Sequence, residues 1–212
     1  MLPIETRILL LRHAETAAPQ LFHGAESDIG LSERGVEQTK DVAEALAGVA
    51  IHAIYSSNML RARLTADAIA RRKGLVAGVI EPLHERKMGP LSGTLHSEGW
   101  HIYTEAAKRW MAGELDHTHE GGESYTQIRD RVVPAFLDLA RRHQGETIVV
   151  VVHGVVIRVL LTSLLEGLDH RDFDAVTIEN TAINDLRWDG ARWYAAERGV
   201  RRLSGSDSPT SR

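Results

Sequence analysis

A chain of 212 residues, 43% hydrophobic and 25% charged, is long enough for one domain with a substantial core. Its formal net charge of -4 and isoelectric point near 6.3 exclude the basic stripe that a nucleic-acid or anionic-membrane surface needs, so any anion site must be local. With no cysteine, disulfides, thiolate metal sites and cysteine nucleophiles are excluded as well.

Met1-Leu2-Pro3-Ile4-Glu5-Thr6-Arg7 sets an acid and a proline before any apolar stretch, unlike a signal peptide. Arg158 interrupts the longest C-terminal apolar run well short of a membrane span, so a cytoplasmic protein with no membrane partner is expected. The first predicted element is the apolar run Arg7-Ile8-Leu9-Leu10-Leu11, a buried strand that ends in Arg12-His13. A polar loop to Gly30 follows, and Ser32 then caps a helix with Glu33 in its first turn. Val36, Val42, Ala43, Leu46 and Ala47 mark the inward face of this helix, and Gly48 would end it in a left-handed cap. Ala53-Ile54-Tyr55-Ser56 has strand composition and leads through Ser57-Asn58 into a second helix, with Ala62, Ala66, Ile69 and Ala70 inward and an end near Gly74.

Leu75 to Ile80 is a third predicted strand, and an irregular segment runs from Glu81-Pro82 to about Gly93. Between Thr94 and Gly122, Trp100, Tyr103, Ala107 and Trp110 are spaced as on a helix. Ser124-Tyr125-Thr126-Gln127 has the spacing of a capping box for a helix whose face is Ile128, Val132, Phe136 and Leu139, and which Pro134 should bend or split. Thr147 to Val152 repeats the opening design, a strand running into His153-Gly154 and then a helix to Leu165 and Glu166. Ala182 to Trp188, Asp189-Gly190 and Arg192 to Ala196 read as a two-residue hairpin. Residues 1–203 are expected to form a single domain, with Ser204 to Arg212 a disordered tail. The alternation predicts an α/β three-layer sandwich: a mostly parallel central sheet with one antiparallel C-terminal edge element, and helices on both faces.

Ligands of such sheets bind at the carboxyl ends of strands, where His13 and His153 could share a pocket with Arg12. Neutral imidazole can attack phosphorus and divide one hard displacement into two easier ones, and arginine stabilises the phosphoryl oxygens by bidentate hydrogen bonds. His13 is the candidate nucleophile and Arg12 its neighbouring cation.

Leu11-Arg12-His13-Ala14-Glu15-Thr16, Asn58-Met59-Leu60-Arg61-Ala62 with Thr65-Ala66, Gly122-Glu123-Ser124 and Val152-His153-Gly154 form four motifs in a fixed order. Together with Gly24, Asp28, Leu31, Ser32, Gly35 and Gln38, they resemble the histidine phosphatase superfamily, which includes the cofactor-dependent phosphoglycerate mutases and many small phosphatases. The resemblance implies that His13 is the nucleophile, that Arg12, Arg61 and His153 hold the phosphate, and that Thr16 and the Gly154 amide are neighbouring donors. Glu85 would protonate the leaving oxygen and then activate water. It implies no cofactor and no metal, with a small phosphorylated molecule as substrate and a homodimer compatible with the family pattern.

Two departures bear on function. The loop from His13 to Gly24 is shorter than in the mutases and lacks an asparagine that contacts phosphate there, so His23 is expected to take part of that role. Met88 stands where a substrate-binding tyrosine of the mutases would be, and the segment before Gly122 lacks their paired-arginine insert. Hydrolysis is therefore expected over mutase activity, with a non-catalytic phospholigand sensor as a third reading. Trp100, Tyr103, Lys108, Trp110 and His23 are candidates for the substrate side. A metal site at His117 and His119 with His96 and His101 is the weaker alternative.

Overall fold

The opening apolar run is explained by burial on both sides. In a computed structural model, which describes residues 5–203, β1 (Thr6–Arg12) lies inside a six-stranded sheet with β2 (Ala53–Ser56), β3 (Ala77–Val79), β4 (Thr147–Val152), β5 (Ile183–Trp188) and β6 (Trp193–Val200). The order is β3-β2-β4-β1-β5-β6; the first four are mutually parallel, while β5 and β6 are antiparallel additions. Ile8 and Leu10 face one layer and Leu9 and Leu11 the other, all fully buried, so no polar alternation is tolerated there.

Helices α1 (Glu33–Ala45) and α2 (Leu60–Lys73) cover the Leu9 face, while α3 (His96–Met111), α4 (Tyr125–Arg142) and α5 (Gly154–Leu164) cover the Ile8 face. The caps follow local chemistry: the Ser32 hydroxyl accepts from the Gly35 amide, and Ser124 with Gln127 forms the expected capping box. Gly74 ends α2 at φ 67°, the left-handed conformation that favours glycine.

Several local expectations are corrected. α1 ends at Ala45 and is capped by Leu46, so Gly48 lies beyond it and is not left-handed; Val36 points to solvent. Pro134 does not split α4, which runs unbroken over 18 residues; the proline sits on the exposed side. β3 has three residues rather than six. The final hairpin is joined by four residues, 189–192, because Trp188 pairs with Trp193 and the Asp189 carboxylate accepts the amides of Ala191 and Arg192. The tail from Ser204 lies outside the described residues.

The topology opens a crevice. The chain leaves β1 towards α1 on one face and leaves β4 towards α5 on the other, so the connections diverge above two adjacent strands. Among the described residues no helix is long and apolar enough to cross a membrane.

Candidate active site

The crevice receives the two histidines. Arg12 and Val152 are register partners at the ends of β1 and β4, and the His13 amide extends the ladder by donating to the Val152 carbonyl (2.9 Å). His13 and His153 consequently stand side by side, ring centroids 5.2 Å apart, close to the ~4.8 Å between neighbouring strands. On the opposite side the Thr181 amide donates to the Arg12 carbonyl and Asn180 Nδ2 to the His13 carbonyl (2.9 Å).

The hydrogen bonds fix the tautomer of His13. Its Nδ1 lies 2.7 Å from the Ala14 carbonyl oxygen, which only accepts, so Nδ1 carries the proton and Nε2 keeps its lone pair. Burial, reinforced by the cations of Arg61 and Arg12, holds the His13 pKa well below the usual histidine range; the ring is neutral at pH 7. Burial and the Arg61 cation do the same to His153, whose Nε2 pairs with Ser57 Oγ (2.7 Å) and whose Nδ1 has no partner within the protein.

Each arginine spends part of its guanidinium on scaffolding. Arg12 Nη1 donates to the Ile178 carbonyl (2.6 Å), and Arg61 Nη1 and Nη2 donate to the carbonyls of Ser27 (2.8 Å) and His23 (3.3 Å). The Nε of each is buried without a partner. Burial lowers the Arg61 pKa to about 10, with Glu85 and Asp28 opposing, so the group remains a cation at neutral pH. Unpartnered buried donors are costly, and two guanidinium cations with such nitrogens beside one neutral imidazole fit an anion.

Glu85 is also buried. Its Oε1 accepts the Arg86 amide (2.8 Å) and its Oε2 the Val155 amide (3.4 Å) at the start of α5. The segment carrying it is clamped from α4: Arg131 donates to the carbonyls of Pro82, His84 and Glu85 while pairing with Glu123 (2.8 Å).

A cavity of about 380 Å³ opens in front of His13, lined among others by Arg12, Thr16, His23, Glu85 and Gly154. Arg61 and His153 lie behind this wall, fully buried. Gly24 is not on the wall; its amide donates to Ser92 Oγ (3.3 Å) and its carbonyl accepts from Arg61. Both nitrogens of His23 are engaged, Nε2 donating to the Ala18 carbonyl and Nδ1 meeting Ser27 Oγ, so this ring ties the loop. Gly154 sits where a Cβ would come within 2.9 Å of Ile178 Cδ1, a close approach that only glycine permits without a shift.

Of the substrate-side candidates, Trp100, Tyr103 and His23 line the cavity, whereas Lys108 is exposed elsewhere and Trp110 is core beneath the Arg86 guanidinium (4.5 Å). Sequence reasoning missed Arg158 and Asn180, which also line the cavity. Arg158 lies one helical turn after Gly154, so the periodicity of α5 carried a signal for it; Asn180 had none. Among the described residues no group of three or more histidines and carboxylates is placed to hold a metal ion; His119 instead donates to the Met88 carbonyl and accepts from Arg86.

The sequence profile described as "Histidine phosphatase superfamily (branch 1)" matches residues 8–200. Phosphoglycerate mutase-like protein 4 of Arabidopsis thaliana is 35% identical over 192 residues, covering 88% of this chain and 81% of that one. A metal-independent phosphoserine phosphatase of the same plant is 32% identical over 189 residues, covering 86% and 79%. The solved structure of a mycobacterial glucosyl-3-phosphoglycerate phosphatase superposes with a TM-score of 0.80 at 27% identity, covering 92% of this chain and 99% of that one. With the motifs in order, the sheet topology and a profile match over nearly the whole length, the chain belongs to branch 1 of the histidine phosphatase superfamily.

Proposed function

We propose that this protein is a phosphoric monoester hydrolase that acts on a small phosphorylated metabolite through a phosphohistidine on His13, without a metal. The observation that carries the reading is a neutral His13 imidazole with the Arg61 and Arg12 cations and the His153 ring beside it, while Arg12 Nε, Arg61 Nε and His153 Nδ1 are left buried without partners. The His13 Nε2 lone pair attacks phosphorus as the ester P–O bond breaks, and Glu85 delivers a proton to the departing alkoxide. The Glu85 carboxylate then takes a proton from water, the oxygen attacks phosphorus, and the N–P bond breaks to release phosphate and neutral His13. Arginine cations supply the charge stabilisation that phosphoryl transfer requires, so the scheme calls for no Lewis acid. Thr16 and the Gly154 amide are further donors in this reading.

Every group named comes from one chain, so the scheme needs no homodimer, and neither nucleic acid nor membrane enters it. A cytoplasmic location accords with a substrate class whose charge keeps it from crossing membranes unaided. The test is phosphate release from a panel of monoesters in the presence of chelator, beside a bisphosphate-primed 3-phosphoglycerate isomerisation assay. Chelator-resistant release, lost at least about a thousandfold in His13→Ala with the fold retained, is expected. Dominant isomerisation would make the protein a mutase, and near-normal turnover by His13→Ala would overturn the mechanism.

A further inference from the structure

Beyond the phosphate end, α3 and the loop after β1 line the same cavity with three aromatic rings, Phe22, Trp100 and Tyr103. Their centroids lie 5.4 to 6.2 Å apart and their planes within 27° of one another. The nearly parallel rings are offset-stacked into one aromatic shelf, of which Trp100 is the exposed member and Phe22 the buried one. His96 closes its edge against Phe22 at 4.5 Å. Gly99 makes the arrangement possible: a Cβ there would meet Leu91 Cδ1 at 2.1 Å and Phe22 Cε2 at 2.9 Å. A glycine in the middle of a helix is otherwise a cost, so close packing of α3 against Phe22 is what it serves.

Two further observations bear on what the shelf meets. Trp100, which lines this cavity, keeps 54% of its whole surface exposed, although large rings are ordinarily well covered. The charges on the remaining wall already have partners: Glu15 takes Ser32 Oγ (2.8 Å) and Arg34 (3.6 Å), and Arg158 has Asp174 (3.4 Å) and the Tyr103 hydroxyl (3.3 Å). Apart from Glu85, which the proposed reaction assigns to the leaving oxygen, the carboxylate lining this cavity, Glu15, is already engaged when an ammonium group enters.

We propose that the Phe22–Trp100–Tyr103 shelf is a subsite for the alcohol half of the ester, taking a flat, uncharged ring, so that ring-bearing phosphomonoesters are favoured over small zwitterionic ones. This rests on the reading that the phosphate is held at His13. Stacking on Trp100 supplies the selectivity, and the Tyr103 hydroxyl and Arg158 offer one polar contact to a ring substituent.

The test compares kcat/KM for benzyl, cyclohexylmethyl and ethyl phosphates and O-phosphoserine, all esters of primary alcohols, so that leaving-group chemistry varies little. Benzyl phosphate is expected to exceed ethyl phosphate and phosphoserine by about tenfold or more, with Trp100→Ala costing the benzyl ester about fivefold, mainly in KM, and sparing the ethyl ester. The affinity of His13→Ala for benzyl and ethyl phosphates, measured by calorimetry with and without Trp100→Ala, reads the shelf independently of turnover. Absence of all hydrolysis with the benzyl binding preference intact would remove the hydrolase reading and leave the shelf standing. Equal affinity for benzyl and ethyl phosphates, preference for phosphoserine, equal loss on every ester, or equal use of the cyclohexylmethyl ester would each overturn the flat-ring subsite.

Discussion

The proposed histidine nucleophile must be neutral while surrounded by the cations that would hold its target, and the Arg61 and Arg12 cations join burial in keeping His13 neutral. The same burial links stability to pH. His13 and His153 have folded pKa values well below the ~6.5 of an unfolded histidine, so below that pH the unfolded chain binds protons that the native state refuses. Stability is expected to fall as pH drops from about 6.5, by up to about 1.4 kcal/mol per pH unit for each histidine, until the folded pKa is reached. Urea midpoints at pH 7 and pH 5 check this; an unchanged midpoint would contradict buried neutral rings. Glu85 can be tested separately. Glu85→Gln keeps the shape but cannot transfer a proton, so it should slow alkyl phosphates about a hundredfold while aryl phosphates, which leave without help, lose little. Equal losses on both classes would remove Glu85 from the acid role.

At the scale of elements, sequence signals were dependable where one residue carries a local geometric demand. Gly74 and the Ser124–Gln127 box were legible because each satisfies groups within its own turn. Pro134 misled for the opposite reason: its local penalty is outweighed by burial of Ile128, Val132, Phe136 and Leu139 along the opposite face of α4. Pro134→Ala should therefore stabilise the protein by about 1–3 kcal/mol, since it restores a helical amide at an exposed position. A lower denaturation midpoint in that variant would show instead that the proline shapes the helix to the sheet. The site residues show the same division. Arg12, His13, His153 and Gly154 could be read from their positions at strand ends, whereas Asn180 reaches His13 from 167 residues away and left no local trace.

On the scale of the whole molecule, the fold class was legible because β1 and β4 are apolar runs that each lead towards a helical pattern, and full burial on both faces demands such runs. Strand order was not, since nothing local tells β4 to enter between β2 and β1, and that insertion brings the histidines together. If the unpartnered nitrogens form a phosphate seat, inorganic phosphate in chelator should stabilise the whole chain. At a hundred times its Kd it contributes about 2.7 kcal/mol, or about 5–10 °C in Tm for a protein of this size. A scan against chloride at equal ionic strength checks this, and identical melting in both salts would speak against the seat.

The two imidazoles are spaced by a hydrogen-bonded ladder between strands, while the rings that face the rest of the cavity come chiefly from one helix outside that ladder. In the proposed reading, reaction and diet are thereby inherited through separate parts of the chain. A gene duplicate could rewrite α3 and shift to another ester while the strand register went on holding the two imidazoles side by side.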